Sequence, residues 1–208
     1  MLGSLANPAL PLKRDRLSPM EVRGDNAMGA GNQQGRPDEP IGYYIAGFVD
    51  GEGSFHVAVQ RNPTTRLKWQ VVPEFHVTQN DGNQHVLELI RDVLGCGHLK
   101  PNHRNSLRDR TYVLVVRNHG DLATKVVPFF RRFPLRTTKR TDFDRFAKVV
   151  AGIAQGRHRD RDGLQEILTL AYAMNQNGTR RRRPLETVLA HLEPSETIRQ
   201  TPRPEAKI

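Results

Sequence analysis

Two carboxylates, Asp50 and Glu52, stand two residues apart in the run IGYYIAGFVDGEGSFHVAV (Ile41 to Val59), and each is followed by a glycine. The run reads as a helix up to Asp50 and alternates as a strand from Ser54, so the acids fall on the joint between the two. Acids are disfavoured at the negative C-terminal end of a helix, and two of them there call for a compensating cation. Backbone carbonyls at such an end, together with a rigidly held carboxylate, make a hard oxygen site suited to Mg²⁺. A solvated helix terminus is the plainer alternative. Gly51 and Gly53 permit an abrupt exit into the strand. Gly42, Ala46, Gly47 and Gly51 are expected to leave one side of the helix nearly bare, so that a second helix can approach closely.

The elements that must position these acids follow from periodicity. Asp38, Glu39 and Pro40 make a helix start, because proline suits the first turn and acids suit its positive end. The first helix is expected from about Pro40 to Asp50. Phe55, Val57 and Val59 alternate with polar residues, as do Trp69, Val71, Phe75 and Val77, which predicts a hairpin across the loop RNPTTRLK. Val86, Leu87, Ile90, Val93 and Leu94 then fall at helical spacing, with Gly95 and Gly97 as stops. A second strand pair is expected near His98 to His103 and Thr111 to Arg117. Helices follow from Asp121 to about Arg131 and from about Thr141, separated by Pro134. This order predicts an α+β domain, an antiparallel sheet with helices on one face.

The other face of that sheet must meet solvent or a ligand. It carries Ser54, His56, Gln60, Gln70, Glu74, His76 and Lys100, flanked by Arg61, Arg66, Lys68, Arg104, Arg108 and Arg110. Long polar side chains on a twisted sheet rimmed by guanidiniums suit a β-ribbon in a DNA major groove, where amides read base edges and the rim holds phosphates. An ordinary solvated face fits the same pattern. The chain's 208 residues carry 32 Lys and Arg against 22 Asp and Glu, a net charge of +10, which favours a polyanionic partner. The lone Cys96 excludes an internal disulfide and a cysteine-based zinc cluster, and points to a reducing compartment. No apolar run approaches a membrane span, and the N-terminus lacks the apolar region of a signal peptide.

The segment IAGFVDGEG, Ile45 to Gly53, resembles the LAGLIDADG motif of the homing endonucleases. The resemblance continues through FHVTQND, VLGCG, TYVLVV and PFFRRFPLRTTKRTDF, covering about Pro40 to Ile153. It implies an αββαββα fold with a saddle-shaped sheet on the DNA major groove, and a metal-dependent double-strand cut across the minor groove that leaves 3′ overhangs. By position, Glu52 matches the acid that holds the scissile-site metal, Mg²⁺ or Mn²⁺, and Gly51 lends its carbonyl. Asp50 matches a structural residue of the motif helix, at its dimer interface. Gln79 matches the residue that orders active-site water. Lys139 matches the cation beside the reacting phosphate, with Arg136 the alternative. Asn83 departs from the family pattern, which often has a basic residue there.

A single copy of the motif implies a homodimer, with Gly42, Ala46, Gly47 and Asp50 at its interface, and a pseudo-palindromic target. Encoding by a mobile intron is implied as well, in the nucleoid-bearing cytoplasm of a bacterium or in an organelle matrix. An RNA-binding intron maturase and a regulator built on an inactive scaffold are the competing classes. The resemblance leaves two segments aside: residues 1–38, rich in Gly, Pro, Asn and Gln and read as a mobile leader, and residues 156–208, read as a basic helical extension. In the latter, a helix from Leu164 to Met174 precedes Arg180 to Arg183, which are expected on flanking phosphates.

Overall fold

The computed structural model describes residues 38–103, 110–175 and 181–192. Almost all of the expected leader, with Arg104, Arg108 and Arg180, lies outside them.

Helix α1 (Glu39–Glu52) has its proline and its acid in the first turn, as the start signal requires. It runs on to Glu52, past the expected end at Asp50, and strand β1 (Gly53–Arg61) begins at the next residue. Both acids thus sit on the last helical turn and not in a loop. Gly53 makes this exit without unusual dihedrals, at φ −84° and ψ 162°. What it supplies is space: a Cβ there would lie 2.5 Å from Val49 Cγ1 and 2.8 Å from the Val49 carbonyl oxygen.

Strand β1 pairs antiparallel with β2 (Trp69–Asn80), with Ser54 opposite His76, His56 opposite Glu74 and Gln60 opposite Gln70. After helix α2 (Gln84–Leu94), closed by Gly95 in the left-handed conformation, β3 (His98–Pro101) and β4 (Thr111–Val116) complete a four-stranded sheet in the order β1-β2-β4-β3. Pro73, which has no N–H to give, lies in the half of β2 that only β1 flanks, because the β4 pairing begins at Phe75.

The third helical run comprises α3 (His119–Asp121), a π-helical turn (Leu122–Val126) and α4 (Val127–Arg132). The wide turn stands just before Pro128, whose missing N–H leaves the regular helical bond unmade. Helix α5 (Lys139–Ala154) follows, then α6 (Arg161–Tyr172) and α7 (Leu185–Ala190).

The helices cover one face of the sheet. Phe55 is the hub of the core, stacked on Phe75 with ring centroids 5.1 Å apart and packed against Phe130, Phe143 and Phe146 at 5.2–5.4 Å. Leu164, Ile167, Leu168, Ala171, Met174, Val188 and Leu192 join the same apolar cluster. The described part of the C-terminal extension therefore packs as one body with the domain expected to precede it.

Helix α1 corrects the expectation of one small-residue face. Gly42 and Ala46 are buried, while Gly47 and Gly51 are exposed. Gly42 lies under the Phe133 ring, whose atoms would be 2.3–2.5 Å from an added Cβ. Among the described residues, nothing beyond the helix's own backbone and the adjoining residues lies within 4 Å of one at Gly47. Gly42→Ala is therefore expected to cost about 1–3 kcal/mol through overpacking. Gly47→Ala should be neutral or stabilise by up to about 1 kcal/mol through helix propensity. Urea unfolding of the two variants measures the contrast, and equal effects would refute the two-faced helix.

Candidate functional site

The end of α1 is clasped to the start of α5. Asp50 Oδ2 accepts from the backbone N–H of Arg136 at 2.6 Å and of Thr137 at 3.1 Å, and Oδ1 accepts from Thr137 Oγ1 at 2.6 Å. Burial works to raise its pKa, but these bonds and the nearby Lys139 charge outweigh it and hold the carboxyl below its ordinary value. In return, Lys139 Nζ donates to the carbonyl of Val49 at 2.8 Å and of Gly51 at 3.3 Å. This is the cation that a helix end bearing two acids needs. Burial lowers the Lys139 pKa, opposed by Asp50 and then Glu52. Arg136, the alternative cation, engages the motif through its backbone.

Glu52 is exposed on the last turn of α1. Its neighbours along the chain open onto a cleft of about 610 Å³, lined by Asp50, Gly51, Ser54, Thr137, Lys139 and Asp142 among others. The structure thus brings Gly51, Asp50 and Lys139 together. Gln79 lies on the helix-covered side of β2, two residues beyond Val77, the partner of Gly53. Its side-chain oxygen accepts from the Asn80 N–H at 2.8 Å.

The opposite sheet face carries the polar set. Ser54, Gln60, Arg61 and Arg110 are exposed, and His56, Lys68, Gln70, His76 and Lys100 are half-buried. Gln70 is held across the hairpin, accepting from Gln60 Nε2 at 3.2 Å and Asn62 Nδ2 at 3.0 Å. Arg110 pairs with Asp81 at 2.9 Å, and Lys68 Nζ donates to the Pro63 carbonyl at 2.9 Å.

Glu74 departs from its expected role as an open group for base reading. It is only 5% exposed, the one buried charged residue among those described. His56 Nε2 stands 3.1 Å and His76 Nε2 2.9 Å from its Oε2, and Arg117 Nε contacts its Oε1. The carboxylate is consumed within the sheet face because the pleat puts residues 56, 74 and 76 on the same side.

Sequence reasoning missed three residues. Thr137 and Arg117 gave no local signal, because each finds its partner only across the fold. Asn175, in the left-handed region at φ 51°, donates from Nδ2 to the Phe55 carbonyl at 3.1 Å and from its N–H to Asp142 Oδ1 at 3.2 Å. It ties the end of the α6 segment to β1 beside the cleft. The arginines of the extension are partly committed as well. Arg181 lies over the Tyr172 ring at 4.5 Å and donates to the Ala171 carbonyl at 2.7 Å, and Arg183 lies 5.7 Å from the Trp69 ring centroid.

Residues 45–150 match the family model of the LAGLIDADG endonucleases. The chain belongs to that family. Homing endonuclease I-ApeII of Aeropyrum pernix is 27% identical over 150 residues, 70% of this chain and 86% of that protein. DNA endonuclease I-CreI of Chlamydomonas reinhardtii is 32% identical over 89 residues, 42% of this chain and 52% of its own. Probable intron-encoded endonuclease 2 of Neurospora crassa is 30% identical over 134 residues, and there the match spans only 28% of the relative.

Among solved structures, the homing endonuclease I-TnaI superimposes with a TM-score of 0.64 at 37% identity, covering 73% of this chain and 97% of that one. The archaeal intron-encoded homing endonuclease I-Vdi141I, complexed with DNA, gives 0.67 at 29%, covering 74% and 96%. The LAGLIDADG fold is thus an α+β fold built here on a single motif, IAGFVDGEG.

Within this LAGLIDADG domain the Asp50 clasp generates a pH prediction. Its folded pKa lies below the ordinary carboxylate value, so its stabilisation is complete above that value and is lost as pH falls through the lowered one. Asp50→Asn should therefore flatten the acid limb of the stability–pH profile. Asp50→Ala should cost about 1–3 kcal/mol at neutral pH by orphaning the Arg136 and Thr137 donors. Denaturant titrations from neutral to acid pH measure both effects.

Proposed function

We propose that this chain is a site-specific homing endonuclease, encoded by a mobile intron, that acts as a homodimer. It makes a divalent-metal-dependent double-strand break with 3′ overhangs at a long pseudo-palindromic target, in the nucleoid-bearing cytoplasm or an organelle matrix. The observation that carries this reading is the conjunction at the end of α1: an exposed Glu52 carboxylate beside the Gly51 carbonyl, with the Lys139 ammonium at 3.3 Å from that carbonyl.

The donors fit a hard cation. Glu52 and the Gly51 carbonyl offer oxygen only, as Mg²⁺ or Mn²⁺ prefers, on a helix end that already draws positive charge. Bound there, the metal would polarise a phosphate and acidify a water. Lys139, anchored by the Val49 and Gly51 carbonyls, holds a second positive charge where the phosphate gains negative charge. Gln79 is assigned to positioning the attacking water. The exposed Ser54, Gln60, Arg61 and Arg110, with Arg108, form the DNA face together with the half-buried Lys68, Gln70 and Lys100.

Cutting both strands needs two opposed sites, and one chain supplies one Glu52. Exposed Tyr44, Gly47 and Gly51, with part-buried Phe48, form an unpartnered stripe along α1. Tyr43 and Tyr44, beside it and on it, are 53% and 48% exposed. We assign the twin contact to this stripe, not to the buried Gly42 and Ala46.

Glu52→Gln should keep folding and DNA affinity while abolishing cleavage, because it preserves shape and removes charge. Wild-type cutting in this variant would overturn the assignment. Gly47→Leu should leave the monomer folded yet abolish the dimer and double-strand cleavage, as light scattering and a plasmid-linearisation assay would report. DNA affinity should fall log-linearly with salt, by roughly 10³-fold or more between about 50 and 200 mM. Replacing Arg181, Arg182 and Arg183 by Gln should make that dependence shallower without changing the preferred site.

A further inference from the structure

The His56, Glu74 and His76 cluster is not used by the cleavage chemistry above. Its three ligand atoms lie within 4.8 Å of one another. Two of the separations, 3.1 and 2.9 Å from Glu74 Oε2 to the imidazole nitrogens, approach the ligand–ligand edge of about 3.3 Å expected around a tetrahedral zinc with bonds near 2.0 Å. His76 Nε2 is buried and makes no hydrogen bond among the described residues, although it stands 2.9 Å from Glu74 Oε2. A buried nitrogen without a partner calls for an explanation, and an absent ion is one of the recognised kinds.

We propose that His56, Glu74 and His76 form a binding site for a borderline transition-metal ion, Zn²⁺ or Co²⁺, on the polar face of the sheet and separate from the Glu52 centre. The donor set sorts the two sites by chemistry. Two imidazoles and one carboxylate suit Zn²⁺ and Co²⁺ and are poor ligands for Mg²⁺, while the all-oxygen set at Glu52 has the opposite preference.

The frame is set in advance. His56 and Glu74 are cross-strand partners, and His76 lies two residues beyond Glu74 on the same side of β2. No loop has to close to assemble the three ligands. Glu74 keeps Oε2 towards the imidazoles because Arg117 occupies Oε1, as an outer partner that orients a ligand carboxylate. Neutral imidazole is the form that binds metal. The histidine side chains are 32% and 25% exposed. The Lys100 charge opposes a dication, and its removal has a predictable sign.

The test uses the full chain freed of metal by chelation and then titrated with Co²⁺ and Zn²⁺. One Co²⁺ per chain should give visible d–d bands of a low-coordinate site, displaced by Zn²⁺ and unaffected by excess Mg²⁺. His56→Ala and His76→Ala should each weaken binding by more than about 10-fold, the smallest loss expected even for an outer-shell change. Lys100→Gln, which removes a positive charge near His76 without touching the Glu74 carboxylate, should tighten it several-fold, a gain that no misfolded variant would mimic. Glu52→Gln should leave the Co²⁺ spectrum and affinity unchanged while abolishing cleavage, which separates this site from the catalytic one. Binding that is absent, that survives both histidine substitutions, or that disappears in Glu52→Gln would overturn the proposal.

Discussion

The clasp between α1 and α5 is the constraint on which the rest of the site depends. Asp50 takes the orphan N–H groups of Arg136 and Thr137, and Lys139 returns its ammonium to the Val49 and Gly51 carbonyls. Each end supplies what the other lacks: α1 has surplus acceptors and negative charge, and the segment entering α5 has surplus donors and a lysine. Because the two exchanges share one short stretch of backbone, Glu52 has little freedom in where it stands. The preorganisation that the proposed metal-assisted hydrolysis would require is of this kind, and it comes from helix-end electrostatics.

Helix α1 serves two masters with two faces. Gly42 and Ala46 let it settle into the core against Phe133, while Tyr44, Gly47 and Gly51 face away from it. Small residues on opposite sides of one helix have different physical meanings. The buried ones set how deeply the helix sits in its own domain, and the exposed ones set what can approach from outside. The chain spans nearly the whole length of the homing endonuclease I-TnaI, 97%, and about a quarter of the length of the Neurospora crassa relative, 28%.

The polar sheet face carries a comparable economy. A carboxylate buried alone would cost several kcal/mol, and the Arg117 guanidinium and the His56 imidazole are the groups that offset it at Glu74. The network fixes the side-chain directions of His56, His76 and Arg117 in the middle of a surface otherwise made of long, adjustable groups. On the proposed DNA face this makes a rigid centre within an adaptable rim.

The sequence by itself determined the element order, the antiparallel hairpin, the α1–β1 joint and the family, because each is written in local spacing: period two in Phe55, Val57 and Val59, helical period in Val86 to Leu94, and the nine residues IAGFVDGEG. It also marked Asp50 and Glu52 as needing a cation, since helix-end charge is a local property. Only the tertiary structure decided that the cation in this chain is Lys139, that Gly42 and Gly47 face opposite ways, and that Glu74 is buried. Phe133 is 91 residues from Gly42, Lys139 is 90 from Val49, and Arg117 is 43 from Glu74. Partners so far apart leave no mark on the spacing around either one, because the energy that joins them depends on the packing of a whole sheet and its helices and on no local periodicity.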